Sequence, residues 1–398
     1  MNQPNTINQH YVPEFCFKLF FQEESFCYLS VPQAPNERIL FSNKARKKRQ
    51  SSEDYFYGKD QTLEKKYADL ENDTAILINS FLDNDELLSE EQFNLLCRFA
   101  FSQAIRTKKF FERYIGIKSN FAREINATFV YNRELLLLDF YFAAVAYAPI
   151  LNLGLTASFI VNNTSNGLLF SDNPVQVYNS FFPYSHGLGM AGLVIVFPIH
   201  SYGFVVIYDE KMFNLNSTQM TTEDVKVYNK MLIANCGEKV YFQDAVNQQY
   251  FRELIEETME YRNATYFNTL GPQDSKVAFL NFPQTNTQPV FSFLSLKEPY
   301  NNLAFEEKTE FPRFRCEQWK LRFNINPKIL AQTGLEQYNW SKMNDIVDLY
   351  WGKQGEILSV IIDEFDKQDL GMKEAIKFLF YGTEMVQIKK TDGARVEK

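Results

Sequence analysis

The chain is short of the residues that build disulfide frameworks, metal cages and catalytic triads. Its 398 residues include 3 His, 3 Trp and 5 Cys. Cys16, Cys27, Cys97, Cys236 and Cys316 are scattered, odd in number and without a CxxC pair. That excludes a disulfide scaffold or a zinc knuckle and fits reduced thiols in a cytoplasmic protein. No GxxxxGK[ST], no GxGxxG after a strand and no HExxH occurs, so none of those motif-borne chemistries is indicated. Gly187-Leu188-Gly189 follows Ser185-His186 without the spacing of a nucleophile elbow. Basic charge is in deficit too: the net charge is -8 at pH 7. A uniformly basic nucleic-acid coat is thereby excluded, and a local basic groove is not. The opening MNQPNTINQH carries neither an n-region charge nor an apolar h-region, so no signal peptide is expected. One apolar run, Leu135 to Leu151, is interrupted by Asp139 and holds Pro149 near its end. A membrane span needs about 20 predominantly apolar residues, so a buried helix is expected there, and no membrane partner.

Aromatic rings are abundant, with 38 Phe and 22 Tyr. Each buried ring removes about 150–250 Å² from water, enough for large cores. The length suits two domains. The expected organisation is an α+β fold: a helical layer over residues 60–148 packed on a small, mostly antiparallel sheet from residues 26–42 and 157–208. The first domain is placed at residues 1–265. A polar, Pro- and Gly-bearing stretch around 263–290 separates it from a second, smaller α+β domain at 275–398. Pro13 suits the first position of a short helix reaching Phe21. Strands are expected at Phe26–Val31 and Arg38–Ser42, and a polar loop holds the basic run Lys44–Arg49. Asp60 or Thr62 caps a helix to about Phe81. Ser89 and Gln92 form a capping box that opens a long helix to about Tyr114, and residues 120–147 continue the helical layer. Short apolar runs at Ala157–Val161, Leu168–Ser171, Leu193–Phe197 and Phe204–Tyr208 read as strands. Thr221 or Thr222 starts a helix to about Ala245, followed by another over Gln248–Arg262. In the second domain a strand is expected at Trp319–Ile325, with helices between Met343 and Phe380.

Among polar residues, His10 lies between Gln9 and a Pro-initiated helix, and imidazole titrates near neutrality. It suits acid–base chemistry or metal ligation, or else a bond to a helix start or a backbone carbonyl. Ser171-Asp172-Asn173-Pro174 ends a strand, as a functional carboxylate or a plain Asx turn. Glu64 and Glu71 are seven residues apart, on one helix face about 10 Å apart along the axis. Gln103 and Arg106 are three apart and also share a face. Arg106 stands in apolar surroundings, so a carboxylate partner, Glu64 or Glu71, is required. Lys44 and Arg46 offer phosphate contacts, or a solvated loop.

Asn8-Gln9-His10-Tyr11-Val12-Pro13, Phe56-Tyr57, Leu63-Glu64, Leu70-Glu71, Ala104 to Thr107, Phe170 to Val175 and Phe197-Pro198-Ile199 follow one another in an order that resembles a family. It is the largely bacterial family called domain of unknown function 4238, marked by HYVP and SDNP motifs, and the likeness covers about residues 5–250. Phe170 stands where Thr is usual. The resemblance brings no activity with it. It does imply that His10, Asp172, Glu64, Glu71, Gln103 and Arg106 belong to one shared polar site.

Two functions are expected from these residues. In the first, the protein is a metal-dependent nuclease or phosphodiesterase, a toxin or phage-defence effector in setting. His10, Asp172, Glu64, Glu71, Arg106 and Gln103 then form the catalytic group, with His10, Asp172 and Glu64 holding Mg²⁺ or Mn²⁺. Lys44 and Arg46 would meet the phosphates of a nucleic acid or nucleotide. In the second, the motifs are a structural polar core, and the C-terminal domain binds a protein partner.

Overall fold

The computed structural model describes residues 7–34, 36–59, 61–83, 88–124, 127–151, 154–179, 191–262, 290–302 and 388–390. In chain order the elements begin with β1 (Asn8–His10), α1 (Glu14–Phe20), β2 (Ser25–Ser30), β3 (Phe41–Arg46) and β4 (Ser52–Asp54). Helices α2 (Thr62–Asp83), α3 (Glu90–Ile105) and α4 (Lys108–Glu124) follow, then β5 (Ala127–Phe129) and α5 (Arg133–Leu151). Next come β6 (Leu155–Val161), β7 (Phe170–Ser171), β8 (Gln176–Asn179), β9 (Leu193–His200), β10 (Gly203–Asp209) and β11 (Phe213–Leu215). The last are α6 (Thr222–Asn235), β12 (Lys239–Phe242), α7 (Gln248–Arg262), β13 (Leu294–Leu296) and β14 (Ile388–Lys390). The α+β class holds.

The β half divides into two four-stranded antiparallel sheets rather than one, ordered β3-β2-β12-β7 and β6-β10-β9-β8. The strand that sequence reasoning missed is β12, within the first of these sheets, whose residues were expected to continue a helix to Ala245. Helix α6 instead stops at Asn235, where Cys236 turns extended (φ -63, ψ 157). Val240, Tyr241 and Phe242 are all buried. A strand buried on both faces shows no alternation and cannot be told from a helix by period.

Three further departures have local causes. The helix expected from Ser89 to Tyr114 breaks at Arg106, because the Thr107 hydroxyl accepts from Phe110 N (3.3 Å) and so caps a new start. The helical layer expected over 120–147 is interrupted by β5, and Asn132 caps α5 by accepting from Leu135 N (3.2 Å). The basic run Lys44–Arg49 is not a loop: it closes β3 and forms a 3₁₀ turn at Lys47–Arg49. The Ser89–Gln92 capping box is formed in both directions, as is one between Thr221 and Asp224. Asp60, His186, Cys316, the stretch expected to separate domains (beyond its last residue, Val290) and the elements expected over 319–380 lie outside the described residues. Residues 290–302 pack on the first unit: β13 pairs with β11, and Phe291 and Phe293 are buried near Phe204. No described helix is long and apolar enough to cross a membrane.

The core nearest the motifs is a stack of rings. Phe17 of α1 meets Phe26, Phe170 and Tyr241 at 5.7, 5.0 and 5.3 Å, and Phe21 stacks on Phe26 at 4.2 Å. Helix α1 thereby seats the HYVP segment on the sheet that carries Ser171 and Asp172. Replacing Phe17 with Ala should cost about 3–5 kcal/mol, or about 2–4 °C in melting temperature per kcal/mol. A Phe17→Ala chain that melts with the native protein would contradict this placement of the core.

Candidate functional site

The site is built on main chain. β1 pairs antiparallel with β4, His10 opposite Ser52. Gln9, fully buried, donates from Nε2 to Gly58 O (3.0 Å) and accepts from Tyr57 N (2.6 Å). Gly58 has φ +104, a backbone conformation that other residues hold only under strain. Ser51, Tyr55 and Gln61 also have positive φ (50, 53 and 63°). Non-glycine residues hold such angles at a cost of about 1–3 kcal/mol each, and only where their surroundings fix them. Ser51 O accepts from Tyr11 N (2.9 Å) and Val12 N (3.3 Å), and Tyr55 N donates to Ile7 O (2.8 Å).

The carbonyls of His10 and Tyr11 are then met by side chains from three directions. Arg106 Nε and Gln103 Nε2 donate to Tyr11 O at 3.1 and 3.0 Å. Arg106 Nη2 and the Tyr57 hydroxyl donate to His10 O at 3.3 and 3.1 Å. Arg106 is 1% exposed. Its guanidinium lies 4.3 Å from the Tyr67 ring centre and pairs with Glu71 Oε1 at 2.6 Å. Of the two carboxylates open as its partner, the structure pairs Glu71. The pair keeps Arg106 charged. Burial pushes the Glu71 carboxyl up, and the guanidinium opposes that push. Glu64, beside them, makes no hydrogen bond among the described residues. Burial, and then the charge of Glu71, raise its carboxyl to about 7.

His10 contributes chiefly its backbone. Its Nδ1 lies 3.2 Å from Gln50 O. A carbonyl only accepts, so Nδ1 carries the proton of the neutral ring and Nε2 keeps its lone pair. Burial holds the imidazole below its ordinary pKa, against the charge of Glu14, so the ring is neutral near pH 7.

Asp172 belongs to a separate network. Its Oδ1 accepts from Gly237 N (2.7 Å), and its Oδ2 from Glu238 N (2.6 Å) and Lys239 N (3.1 Å). The carboxylate thus pins the turn that leads into β12. Gly237 is required there, since a Cβ would sit 2.9 Å from Asp172 Oδ2. Burial raises the Asp172 carboxyl, and the three N–H donors pull it down. Asn173 accepts from Thr107 Oγ1 (3.1 Å) and donates to Asn235 O (2.9 Å), which ties the SDNP segment to the α3–α4 break. Tyr11 joins the networks: its carbonyl takes Arg106, while burial, and then the charge of Asp172, hold its hydroxyl far above the ordinary phenol range.

The structure therefore brings Arg106, Gln103, Glu71, Glu64 and the His10 backbone together and sets Asp172 in the adjoining turn. Among the described residues no three of His, Cys, Asp and Glu are grouped to hold a metal ion, and His10, Asp172 and Glu64 form no such group. Lys44 and Arg46 are exposed on β3, an edge strand, and among the described residues share no hydrogen bond or ion pair with the Arg106 group. Sequence reasoning missed Gln9, Tyr67 and Thr107. The available signal was that Gln9 and Thr107 stand within the family's motif segments; Tyr67 left none beyond its place on the apolar face of α2.

Replacing Arg106 with Ala takes one donor each from His10 O and Tyr11 O, which keep Tyr57 and Gln103, and leaves Glu71 unpaired; the expected loss is about 3–5 kcal/mol, read by thermal or urea unfolding. Glu64 gives a pH test. Its folded pKa, about 7, exceeds the ordinary 4.5, so the native state binds the extra proton between those values. Its contribution is full below pH 4.5 and is lost as pH rises through 7. Glu64→Gln should therefore gain in melting temperature on the native chain as pH climbs from about 5 to about 8. A difference that stays flat with pH would contradict the shift.

Comparison with curated proteins and with solved structures gives no match to this chain. The family described as Protein of unknown function (DUF4238) matches residues 8–245. That span begins at β1, takes in both the Arg106 and the Asp172 networks, and closes just after β12. It exceeds half of the 398 residues, and the chain belongs to this family.

Proposed function

We propose that the HYVP and SDNP motifs are the internal framework of a binding module, and that they do not themselves perform chemistry on a substrate. One observation carries the reading: the motif side chains with the greatest chemical power are already used. Both oxygens of Asp172 are taken by three backbone N–H groups. The guanidinium of Arg106 is taken by two carbonyls, Glu71 and the face of Tyr67. A group satisfied in this way gains nothing by turning to a ligand, because breaking a buried charge-assisted bond costs about 1.5–3 kcal/mol. The C-terminal segment as a protein-binding surface belongs to the same proposal.

A second reading is favoured by two groups that these networks leave unused. Glu64 has a carboxyl near 7 and no hydrogen bond among the described residues, and His10 keeps a free Nε2. A carboxyl tuned to neutrality suits general acid–base work. In that reading the chain is a cytoplasmic nuclease or phosphodiesterase, a toxin or phage-defence effector dependent on Mg²⁺ or Mn²⁺.

Asp172→Asn separates the two, because it sets an amide N–H against backbone N–H donors. The framework reading expects a loss of about 1.5–3 kcal/mol in stability, and no Mg²⁺- or Mn²⁺-dependent cleavage of RNA or DNA by the native chain. A variant that keeps its melting temperature while losing a metal-dependent cleavage shown by the native chain would establish the enzymatic reading instead.

A further inference from the structure

The search for uncommitted charge leads away from the motif core to the start of α4. Four cations lie in this region, and two are occupied. Lys108 bridges Glu238 (3.2 Å) and Glu112 (4.0 Å). Arg262 donates to the carbonyls of Ile233, Cys236 and Gly237 at 2.6, 3.1 and 2.9 Å. Lys109 and Arg113 are different. They stand four residues apart, on one face of α4, and neither has a hydrogen bond or ion pair among the described residues. Arg113 Nη1 is sealed from solvent with no partner. The neighbouring acids are spoken for: Glu112 and Glu238 by Lys108, and Asp172 by the backbone of residues 237–239.

Lys109 and Arg113 line one cleft, together with Asn173, Gln176 and Asn235. Its volume is ≈ 30 Å³, room for a group of a few heavy atoms and not for a large ligand. Asn235 adds an independent mark. It is 8% exposed, its Nδ2 donates to Met231 O at 2.9 Å, and its Oδ1 has no partner. Because a carbonyl only accepts, the Met231 contact fixes Nδ2 and leaves Oδ1 as the atom that awaits a donor. A ligand that completes this cleft must offer negative oxygens to two cations and one hydroxyl to Asn235.

We propose that the cleft between α4 and the SDNP segment binds a phosphate group that carries a P–OH, as free phosphate or as the terminus of a small phosphomonoester. Phosphate near neutral pH has both required features, and sulfate lacks the hydroxyl. A guanidinium matches the oxygens of such a group two at a time. Thr107 hands α4 its first turn at this spot, and the positive end of that helix adds to the field. Burial already holds Lys109 below its usual pKa and Arg113 down to about 10, as expected for cations kept without their counter-charge. The site is distinct from the Arg106 network, so it stands whether the motifs are framework or catalytic.

Calorimetry on the full chain at fixed ionic strength tests the assignment, with inorganic phosphate, sulfate and glycerol phosphate as probes. Saturable phosphate binding is expected, weaker for sulfate. Arg113→Gln should weaken it at least about tenfold, with Lys211→Gln, at an exposed lysine, unchanged. Arg113→Gln removes an uncompensated, half-buried charge, so without ligand it should melt at or above the native temperature. That keeps lost binding separate from lost folding. Glycerol phosphate binding as tightly as phosphate identifies a phosphomonoester site; weaker binding identifies free phosphate. The proposal is overturned if the native chain binds no phosphate saturably, if sulfate binds equally well, or if Arg113→Gln and Lys211→Gln weaken binding alike.

Discussion

The guanidinium of Arg106 holds this fold's motifs in place. It sits where α3 ends, 1% exposed, and faces main chain rather than solvent. A buried cation needs full compensation, and Arg106 obtains it from elements far apart in sequence: the carbonyls of residues 10 and 11, Glu71 of α2 and the ring of Tyr67. The HYVP strand therefore cannot shift against α2 and α3 without exposing a charge. The positive-φ residues Ser51 and Tyr55 are tied to the same strand by main-chain bonds, Ser51 O from Tyr11 N and Val12 N and Tyr55 N to Ile7 O.

The second motif works by the same logic with the sign reversed. Asp172 collects three N–H groups of the turn before β12, and Asn173 bridges Thr107 and Asn235. The break between α3 and α4 is thus shared: Arg106 fixes the side toward HYVP, and Thr107 fixes the side toward SDNP. The cleft that holds Lys109 and Arg113 lies beyond this joint. Its unpaired charges are a stability cost that the surrounding framework supports, as is usual where a binding group is kept ready.

Much of this was legible wherever side-chain spacing carries the information. Ser89 and Gln92, Thr221, and the shared face of Gln103 and Arg106 follow from local rules, and both members of the last pair meet Tyr11 O. The choice of Glu71 over Glu64 was not legible, because both lie on one helix face and only the third dimension ranks their distances. β12 was hidden because Val240, Tyr241 and Phe242 are buried on both sides. The HYVP motif showed which residues matter and not why. Its carbonyls do the binding, and every residue has a carbonyl. Lys109 was legible only as part of the basic run Arg106 to Lys109 beside the expected phosphate contacts, and Arg113 not at all, since a missing partner leaves no trace in sequence.

The account stands on Arg106 being structural, and a double-mutant cycle with Glu71 tests that most directly. Arg106→Met, Glu71→Leu and the double variant are unfolded in urea beside the native chain. Each single change leaves a buried or half-buried charge without its partner, whereas the double change removes both. The predicted result is strong coupling, about 1–3 kcal/mol, with the double variant more stable than the Arg106→Met chain. Additive losses, or an Arg106→Met chain as stable as the native protein, would contradict it and return Arg106 to the list of groups free to meet a substrate.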